Sequence, residues 1–286
     1  MWILAALLLL LPSPRFVTEG IYARQVLPAS GAPADAVALS RTIYLNHTGA
    51  LLRPGETDAR TNNSSLVSET TQLPGWNTDA ATWADTVACF EQLWSRFDVQ
   101  IVDQDPGDVP HIEAVFGGKP QQVGLPDRVL GVSPFTADCG IVENSIVFEF
   151  TGAVPNITSR MACEIMAQEV AHSYGLDHEL LASDPMTYLG YDGDRAFQDK
   201  AVSCGEFKPR PCGVADAPCR PSQNSVQLLL ERVGSGSGQA EPSGDPGDGC
   251  STTGSPAGLI VAFGLVGLAG RGLRKLDRRL VRIRTV

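Results

Sequence analysis

The sequence lacks the motifs that identify several common enzyme classes. It has no Gly-x-Ser-x-Gly elbow, no Gly-x-x-x-x-Gly-Lys-Ser/Thr loop and no Gly-x-Gly-x-x-Gly after a predicted strand. These absences exclude an α/β-type serine hydrolase, a P-loop nucleotidase and a dinucleotide-binding enzyme. Basic residues are also scarce: residues 271–286 carry a net charge of +6, and the preceding 270 residues carry −16. Because nucleic-acid binding requires a basic face, no nucleic-acid partner is expected.

Long apolar runs are few, and the first lies at the N-terminus. Trp2 to Leu11 is an apolar run that ends at Pro12, which is the length of a signal-peptide core and too short to span a bilayer. No basic residue precedes it, and no clear Ala-x-Ala cleavage site follows it. We predict a signal peptide over residues 1–20 and therefore an exported protein. The alternative is a buried hydrophobic strand or helix.

The second apolar run lies near the C-terminus, after a Gly/Ser/Pro-rich flexible linker predicted over residues 233–256. Residues 257–286 comprise an apolar segment and a basic tail, whose charge predicts a cytoplasmic orientation of the tail. Together with Cys250, this end resembles the C-terminal sorting tags of some Gram-negative bacterial surface proteins. The resemblance implies processing near Cys250 and a location at the cell surface, in the outer membrane or outside the cell. An ordinary single-pass membrane anchor is the alternative.

The seven cysteines agree with export. If Cys250 belongs to the tag, an even number remains in an oxidising compartment, so disulfides are expected. The sequence does not select one of the possible pairings. Cys204, Cys212 and Cys219 are close enough to link a small C-terminal subregion. No Cys-x-x-Cys pair or neighbouring histidine accompanies them, which disfavours structural zinc.

Residues 38–232 are predicted to form one domain. One helix is predicted over 77–97, and a second begins at Asn156 or Thr158 and ends at Tyr174. Strand-like patterns occur in five stretches: 41–48, 98–105, 111–118, 128–135 and 145–150. The predicted fold is α+β, with a five-stranded mixed twisted sheet, two main helices and a disulfide-linked C-terminal subregion.

The stretch QEVAHSYGLDH, which begins at Gln168, concentrates residues that can bind a metal. Gln168 and His172 are four apart on the second predicted helix and share a face, with Glu169 beside them. Gly175 should end the helix, because glycine adopts the left-handed cap at little cost, and His178 can then turn back toward the same point. This layout is typical of a catalytic zinc site, in which the ion activates a water and Glu169 accepts its proton.

These residues resemble the HExxHxxGxxH signature of metzincin metalloproteases, with Gln168 in place of the first histidine. The segment DPMTY adds a match to the metzincin Met-turn, with Tyr188 two residues after Met186. The resemblance implies Zn²⁺ as cofactor and the metal ligands His172, His178 and Gln168. It also implies catalytic roles for Glu169 and Tyr188 and supporting roles for Met186 and Gly175.

The resemblance also extends to the strands before the helix. HIEAVFGG resembles the third strand, VLGVSPF the edge strand and SIVFEF the fifth strand of the metzincin sheet. An extended peptide or protein substrate would then lie antiparallel to the edge strand through main-chain hydrogen bonds.

Each site residue also has a structural interpretation: His172 as a buried core histidine, Met186 as core and Tyr188 as packing. Because an amide is a poorer zinc ligand than imidazole, Gln168 leaves two functions open. One is a secreted, surface-associated zinc metalloendopeptidase. The other is a catalytically inactive metzincin-like domain that binds peptides or proteins at the cell surface. No cysteine-switch motif precedes the domain, so the sequence predicts no latency mechanism.

Overall fold

The computed structural model describes residues 15–19, 22–33, 35–214 and 217–236, which form an α+β fold. The helices within these residues are α1 (Ala80–Trp94), α2 (Ser159–Ser173) and α3 (Ser225–Val233). The strands are β1 (Arg15–Glu19), β2 (Tyr22–Leu27), β3 (Thr42–Asn46), β4 (Gly49–Pro54), β5 (Asn63–Ser64), β6 (Thr71–Pro74), β7 (Gln100–Val102), β8 (His111–Phe116), β9 (Gly131–Thr136), β10 (Ile146–Glu149), β11 (Cys212–Val214) and β12 (Ala217–Arg220).

The largest sheet is mixed and has seven strands in the order β1-β2-β9-β10-β8-β3-β7. Strands β7, β3, β8 and β10 are mutually parallel, and β9 is antiparallel to β10. On the other side of β9, β2 runs parallel to it and β1 pairs antiparallel with β2. The five predicted strands are β3, β7, β8, β9 and β10, and they lie side by side in this sheet.

The prediction of a five-stranded sheet with an edge strand at 128–135 is wrong, because β1 and β2 extend the sheet beyond β9. We had assigned residues 1–20 to a signal peptide and residues 21–37 to no element. The sequence YARQVL of β2 is short, and its apolar and polar residues do not alternate regularly, so its strand character comes from pairing with β9 rather than from local pattern.

Helices α1 and α2 cover one face of the sheet. Helix α1 begins later than the predicted residue 77 because Asp79 caps it by accepting hydrogen bonds from the Ala81 and Thr82 amides at 3.0 and 2.9 Å. Helix α2 begins where predicted, since the Thr158 hydroxyl accepts from the Met161 amide at 3.2 Å. A core of aromatic rings packs beneath the helices around Trp94.

The opposite face of the sheet is covered by a three-stranded sheet of order β5-β4-β6, whose strands lie outside the five predicted stretches. Its Leu52 and Leu73 side chains are buried against Val115, Ile146 and Phe148. Strands covered on both faces are expected to be apolar throughout. The buried glutamates Glu113 and Glu149 depart from that expectation.

Three disulfides join the described cysteines, and they are Cys89–Cys163, Cys139–Cys219 and Cys204–Cys212. Only one of the two disulfides of the predicted C-terminal subregion lies within it. Cys204 pairs with Cys212 inside it, but Cys219 reaches back to the loop after β9, so the subregion is fastened to the main sheet. The described residues also contain a third helix, α3, in addition to the two main helices predicted.

The predictions for the two chain ends fall largely outside the described residues. Only 15–19 of the predicted signal peptide are described, and they form β1. Cys250, most of the linker and the segment 257–286 lie outside the described residues. Within the part of the chain that the structure describes, no helix is both long and apolar enough to cross a bilayer.

Candidate metal centre

The predicted metal-binding residues are presented by the last turns of α2 and the turn that follows. Every residue from Ile165 to Ser173 is buried, so the polar side chains here must find partners inside the protein. Helix α2 ends before Gly175, whose φ is +84° and whose added Cβ would collide with the Cys139 carbonyl oxygen. Glycine is therefore required at this turn, which returns the chain toward α2 as predicted.

The turn brings two imidazoles together in the protein interior. The Nε2 atoms of His172 and His178 lie 3.0 Å apart, and the ring planes are inclined at 82°. Both side chains are almost fully buried. Burial lowers the pKa of each imidazole, so both rings are neutral at neutral pH.

The tautomer of each ring follows from its second nitrogen. Nδ1 of His172 lies 2.7 Å from the carbonyl oxygen of Leu176, and Nδ1 of His178 lies 3.1 Å from Oε1 of Glu206. Carbonyl and carboxylate oxygens accept hydrogen bonds and cannot donate them. Each Nδ1 atom therefore carries the ring proton and donates the hydrogen bond. Both Nε2 atoms then direct lone pairs into the same space, an arrangement that a cation beside them would stabilise. Metal-binding histidines in other proteins are oriented in the same way, by a carbonyl or carboxylate oxygen that accepts from the ring nitrogen facing away from the metal.

Gln168 and Tyr188 lie on one side of the imidazole pair. The Tyr188 ring centroid is 4.3 Å from that of His178. The Gln168 side chain is buried, and its amide nitrogen has no hydrogen-bond partner. Both residues line a cavity of about 370 Å³ between α2 and the segment 185–195. An unsatisfied buried donor costs free energy, so the Gln168 amide nitrogen would be stabilised by a hydrogen-bond acceptor in this cavity.

Met186 is fully buried in the core beneath α2. Its backbone is held at both ends: its carbonyl oxygen accepts from the Glu179 amide at 2.7 Å, and its amide donates to Asp184 Oδ1 at 2.9 Å. Burial raises the pKa of Asp184 to about 7. The turn at Met186 is thus fixed by its backbone and supports the chain that carries Tyr188.

Glu169 lies against strand β9. An added Cβ on Gly131 would lie 2.5 Å from Glu169 Oε1, so the carboxyl fills the space that a larger residue on β9 would take. Gly131 pairs in register with Glu149 of β10, and the Glu149 side chain faces the same layer. None of the four carboxyl oxygens of Glu149 and Glu169, all buried, makes a hydrogen bond of normal geometry, although the Ser133 hydroxyl is close enough to Glu169 to lower its pKa. Burial raises the pKa of both groups well above the usual value, and the repulsion from Glu169 adds to the shift of Glu149.

A second group of charges surrounds His178 and is fully paired. Asp177 forms ion pairs with Arg24 and, at 2.6 Å, with Arg210, while Glu206 lies 3.9 Å from Arg24 and also binds Arg210. Asp177, His178 and Glu206 offer one ligand atom each within 4.8 Å of one another, which would suffice for a metal. Both carboxylates are already neutralised by guanidinium groups, so the lone pairs of the imidazoles are the better cation site.

Four charged residues of this region were not predicted from the sequence: Arg24, Glu149, Asp177 and Glu206. Glu149 carried a usable signal, since it is the only acidic residue in the apolar stretch IVFEF. Asp177 lies inside the recognised motif, but its pairing with arginines 153 and 33 residues away has no local pattern. Arg24 lay in a segment to which no structure was assigned.

The chain was compared with protein-family models, with curated proteins and with solved structures, and none of these comparisons finds a match.

Proposed function

We propose that this chain is an exported, surface-associated zinc metalloendopeptidase of metzincin type. The observation that carries the proposal is the pair of Nε2 lone pairs of His172 and His178, 3.0 Å apart, each ring fixed by an acceptor on Nδ1. A buried site that holds two imidazoles in this tautomer is suited to a dication. Gln168 would add an amide oxygen from the same face of α2.

The bound ion would supply Lewis-acid polarisation of a water and of the scissile carbonyl group. Glu169 would act as the general base. Burial raises its pKa and so favours its neutral form, and a dication would favour its carboxylate form. Tyr188, beside His178, would donate a hydrogen bond to the developing negative charge. Glu149 would exchange a proton with Glu169 or, when ionised, would disfavour the ionised form of Glu169 by repulsion.

The sheet supports a peptide as substrate. Among the five predicted strands of the large sheet, β9 alone runs antiparallel to its neighbour β10, and Gly131 at its start is adjacent to Glu169. Strand β2 occupies the other edge of β9, so an extended peptide could pair with β9 only if it replaced β2; it would then pass the candidate site and could place a side chain in the 370 Å³ cavity lined by Gln168 and Tyr188. The disulfides support an oxidising, exported environment.

The alternative is an inactive metzincin-like domain that binds peptides. It is favoured by Gln168, which is a weaker ligand than histidine, and by the Arg24 guanidinium, which already places positive charge near the imidazoles. Under this alternative β9 would bind a peptide, but the site would hold no ion.

Cleavage of casein or gelatin by the purified chain supplied with zinc distinguishes the two functions. We expect Glu169→Gln to lower the cleavage rate about 10²- to 10⁴-fold, because the general base is lost. The matched control is Glu91→Gln, which changes an exposed glutamate on α1 and should leave cleavage unchanged. Cleavage that persists in Glu169→Gln would contradict the assigned role, and a folded, zinc-free and inactive wild-type chain would favour the binding domain.

The variant Gln168→His tests the third ligand. If residue 168 contacts the ion, imidazole should raise zinc affinity strongly, because it is the better zinc ligand. If affinity is unchanged, Gln168 lies outside the coordination sphere and the proposal loses its third ligand.

A further inference from the structure

We propose that a cavity at the carboxyl ends of β8 and β10 is a binding site for a neutral saccharide, with Trp76 as the ring on which a sugar packs. The residues that line this cavity do not include any residue of the candidate metal centre. The site therefore goes beyond the proposed function and does not depend on zinc.

The cavity has the size and the position of a ligand site. Its volume is about 800 Å³, more than twice that of the cavity beside Gln168. Ligand sites in proteins typically have volumes of about 300–1,000 Å³. Gly118, Thr151 and Gly152 line it where the parallel strands β8 and β10 end. In open sheets with parallel strands, ligands commonly bind beyond these carboxyl ends.

Close backbone contacts fix the shape of the cavity. A Cβ added to Gly75 would lie 2.4 Å from the His47 carbonyl oxygen, and one added to Gly152 would lie 2.6 Å from the Gly118 carbonyl oxygen. The same segments are hydrogen-bonded, because the Trp76 amide donates to the His47 carbonyl oxygen at 2.9 Å and the Gly152 amide donates to that of Gly118 at 3.0 Å. Only glycine allows these approaches, so the cavity is formed before a ligand binds.

Trp76 supplies an apolar surface inside the cavity. Its ring lies nearly parallel to the buried Phe116 ring, at an angle of 17° with centroids 6.2 Å apart, and meets the Trp83 ring edge-on at 86°. These contacts fix the indole, yet Trp76 remains partly exposed and lines the cavity. A sugar ring carries C–H groups on one face, and these groups pack well on the face of a fixed aromatic ring.

Polar side chains complete the lining. They include the hydroxyls of Thr78 and Thr151 and the amides of Asn77 and Asn156, and neither amide forms a hydrogen bond with other residues that the structure describes. Each amide offers both donors and an acceptor, which suits a hydroxyl group because a hydroxyl also donates and accepts. An apolar ligand would instead require a mostly hydrophobic lining. The lining therefore matches a ligand rich in hydroxyl groups.

The charges of the lining favour a neutral ligand. Its two charged residues, Lys119 and Asp79, have opposite charges. Asp79 stays ionised, since hydrogen bonds from Thr82 and Ala81 lower its pKa. An anion in the cavity would be repelled by this carboxylate, and a cation would be repelled by Lys119.

The main-chain groups beside the cavity disfavour an extended peptide. Strand β6, whose Pro74 lines the cavity, is covered on its outer edge. The Gln122 amide donates to the Gln72 carbonyl oxygen at 3.3 Å, and Gly75 forms a β-bridge with Gly117. A peptide that adds a strand requires such groups to be free, whereas a saccharide can bind through side chains alone.

Calorimetric titration of the full chain, with a zinc chelator present, tests the site. The saccharide probes are neutral tetrasaccharides of glucose, mannose, galactose and N-acetylglucosamine. Inorganic phosphate and an end-blocked tetra-alanine peptide represent the other ligand classes. We expect at least one saccharide to bind with a Kd below about 1 mM. Trp76→Ala should weaken that binding at least about tenfold, because the aromatic contact is lost.

Asn156→Gly is the second variant, because it removes the amide and keeps the left-handed backbone, in which φ is +57°. It should weaken saccharide binding about fivefold through the lost hydrogen bonds. The matched control is Asn62→Gly. Asn62 has φ of +56° but lies outside the cavity lining, so binding should be unchanged.

The proposal is overturned if the folded wild type binds none of the four saccharides. It is also overturned if binding is unchanged in folded Trp76→Ala, or in Asn156→Gly where the alanine variant does not fold. Phosphate or peptide binding tighter than that of every saccharide would assign the cavity to another ligand class. None of these results bears on the zinc site, because the chelator removes zinc from all titrations.

Discussion

Two groups of buried charge flank the imidazole pair, and the fold treats them in opposite ways. The paired cluster consists of Arg24, Asp177, Glu206 and Arg210, in which every charge faces an opposite charge. The glutamate pair consists of Glu149 and Glu169, in which no carboxyl oxygen forms an ion pair or a hydrogen bond of normal geometry. Both groups are within the same buried region, so burial alone does not explain the difference.

The difference indicates distinct tasks for the two groups. Ion pairing holds the pKa of Asp177 well below its usual range, so it stays charged and fixes the turn that carries His178. The glutamate pair is destabilising as it stands, because its acids are kept in an environment that favours their neutral form. Groups that a fold keeps at such a cost are typical of sites where a proton is moved.

The largest expected effect follows from breaking the paired cluster. Asp177→Asn leaves two guanidinium groups without their main buried partner, and we expect the free energy of unfolding to fall by about 3–5 kcal/mol. Urea denaturation of the wild type and the variant at neutral pH measures this change in the free energy of unfolding. A loss below about 1 kcal/mol would mean that solvent or other acids compensate the arginines and that the cluster is not structural.

A smaller effect, of opposite sign, is expected from the glutamate pair. Glu149→Gln removes a buried acid without a partner and should raise the free energy of unfolding by about 1–3 kcal/mol above neutral pH. The sign follows from linkage. Because the pKa of Glu149 is raised in the folded state, the wild-type protein loses stability as pH rises above the ordinary pKa of glutamate, and the glutamine variant does not. Unfolding measured across pH 5 to 9 should show a gain that grows with pH.

Glu113→Gln is the matched control for Glu149→Gln. Glu113 is also buried on the sheet, but Oε1 accepts a hydrogen bond from Asn46 at 2.7 Å, and burial raises its pKa to about 7. Its gain in stability should therefore level off near pH 7, whereas that of Glu149→Gln should continue to rise. Parallel curves for the two variants would contradict the distinction between a partnered and an unpartnered acid.

The smallest effect is expected from an exposed ion pair. Asp98→Asn removes the partner of Arg41, and both side chains are about half exposed. We expect a change of about 0–1 kcal/mol in the free energy of unfolding, which salt should abolish. A loss as large as that of Asp177→Asn would show that burial is not what separates the two aspartates.

The sequence predicted the elements that carry their own local signals. The five predicted strands, the Thr158 cap of α2 and the glycine turn at Gly175 follow from alternation, capping chemistry and backbone conformation. The meeting of His172 and His178 was also predicted from their spacing around that turn. Strand β2 was not predicted, because its strand character depends on an edge supplied by residues about 110 positions later, and β1 in turn pairs with β2.

The charged partners of the site residues could not be predicted from the sequence either, because they are distant along the chain. The partners of Asp177 are Arg24 and Arg210, which lie on different segments, and only the fold brings them together. The Cys139–Cys219 disulfide likewise joins the C-terminal subregion to the loop after β9. Local pattern identified which residues can bind a metal, but the groups that set their charge environment come from long-range contacts.

The most direct test of the account is the zinc affinity of the purified chain at neutral pH, measured by competition with a chromophoric chelator. We predict binding of about one zinc ion per chain, weakened at least about hundredfold by either His172→Ala or His178→Ala, since even loss of an outer partner costs 10–100-fold. His47→Ala, which removes a histidine stacked on Trp83 away from the site, should leave affinity unchanged. If the folded wild type binds no zinc, or if both site variants bind it as tightly as the wild type, the two imidazoles do not form a metal site.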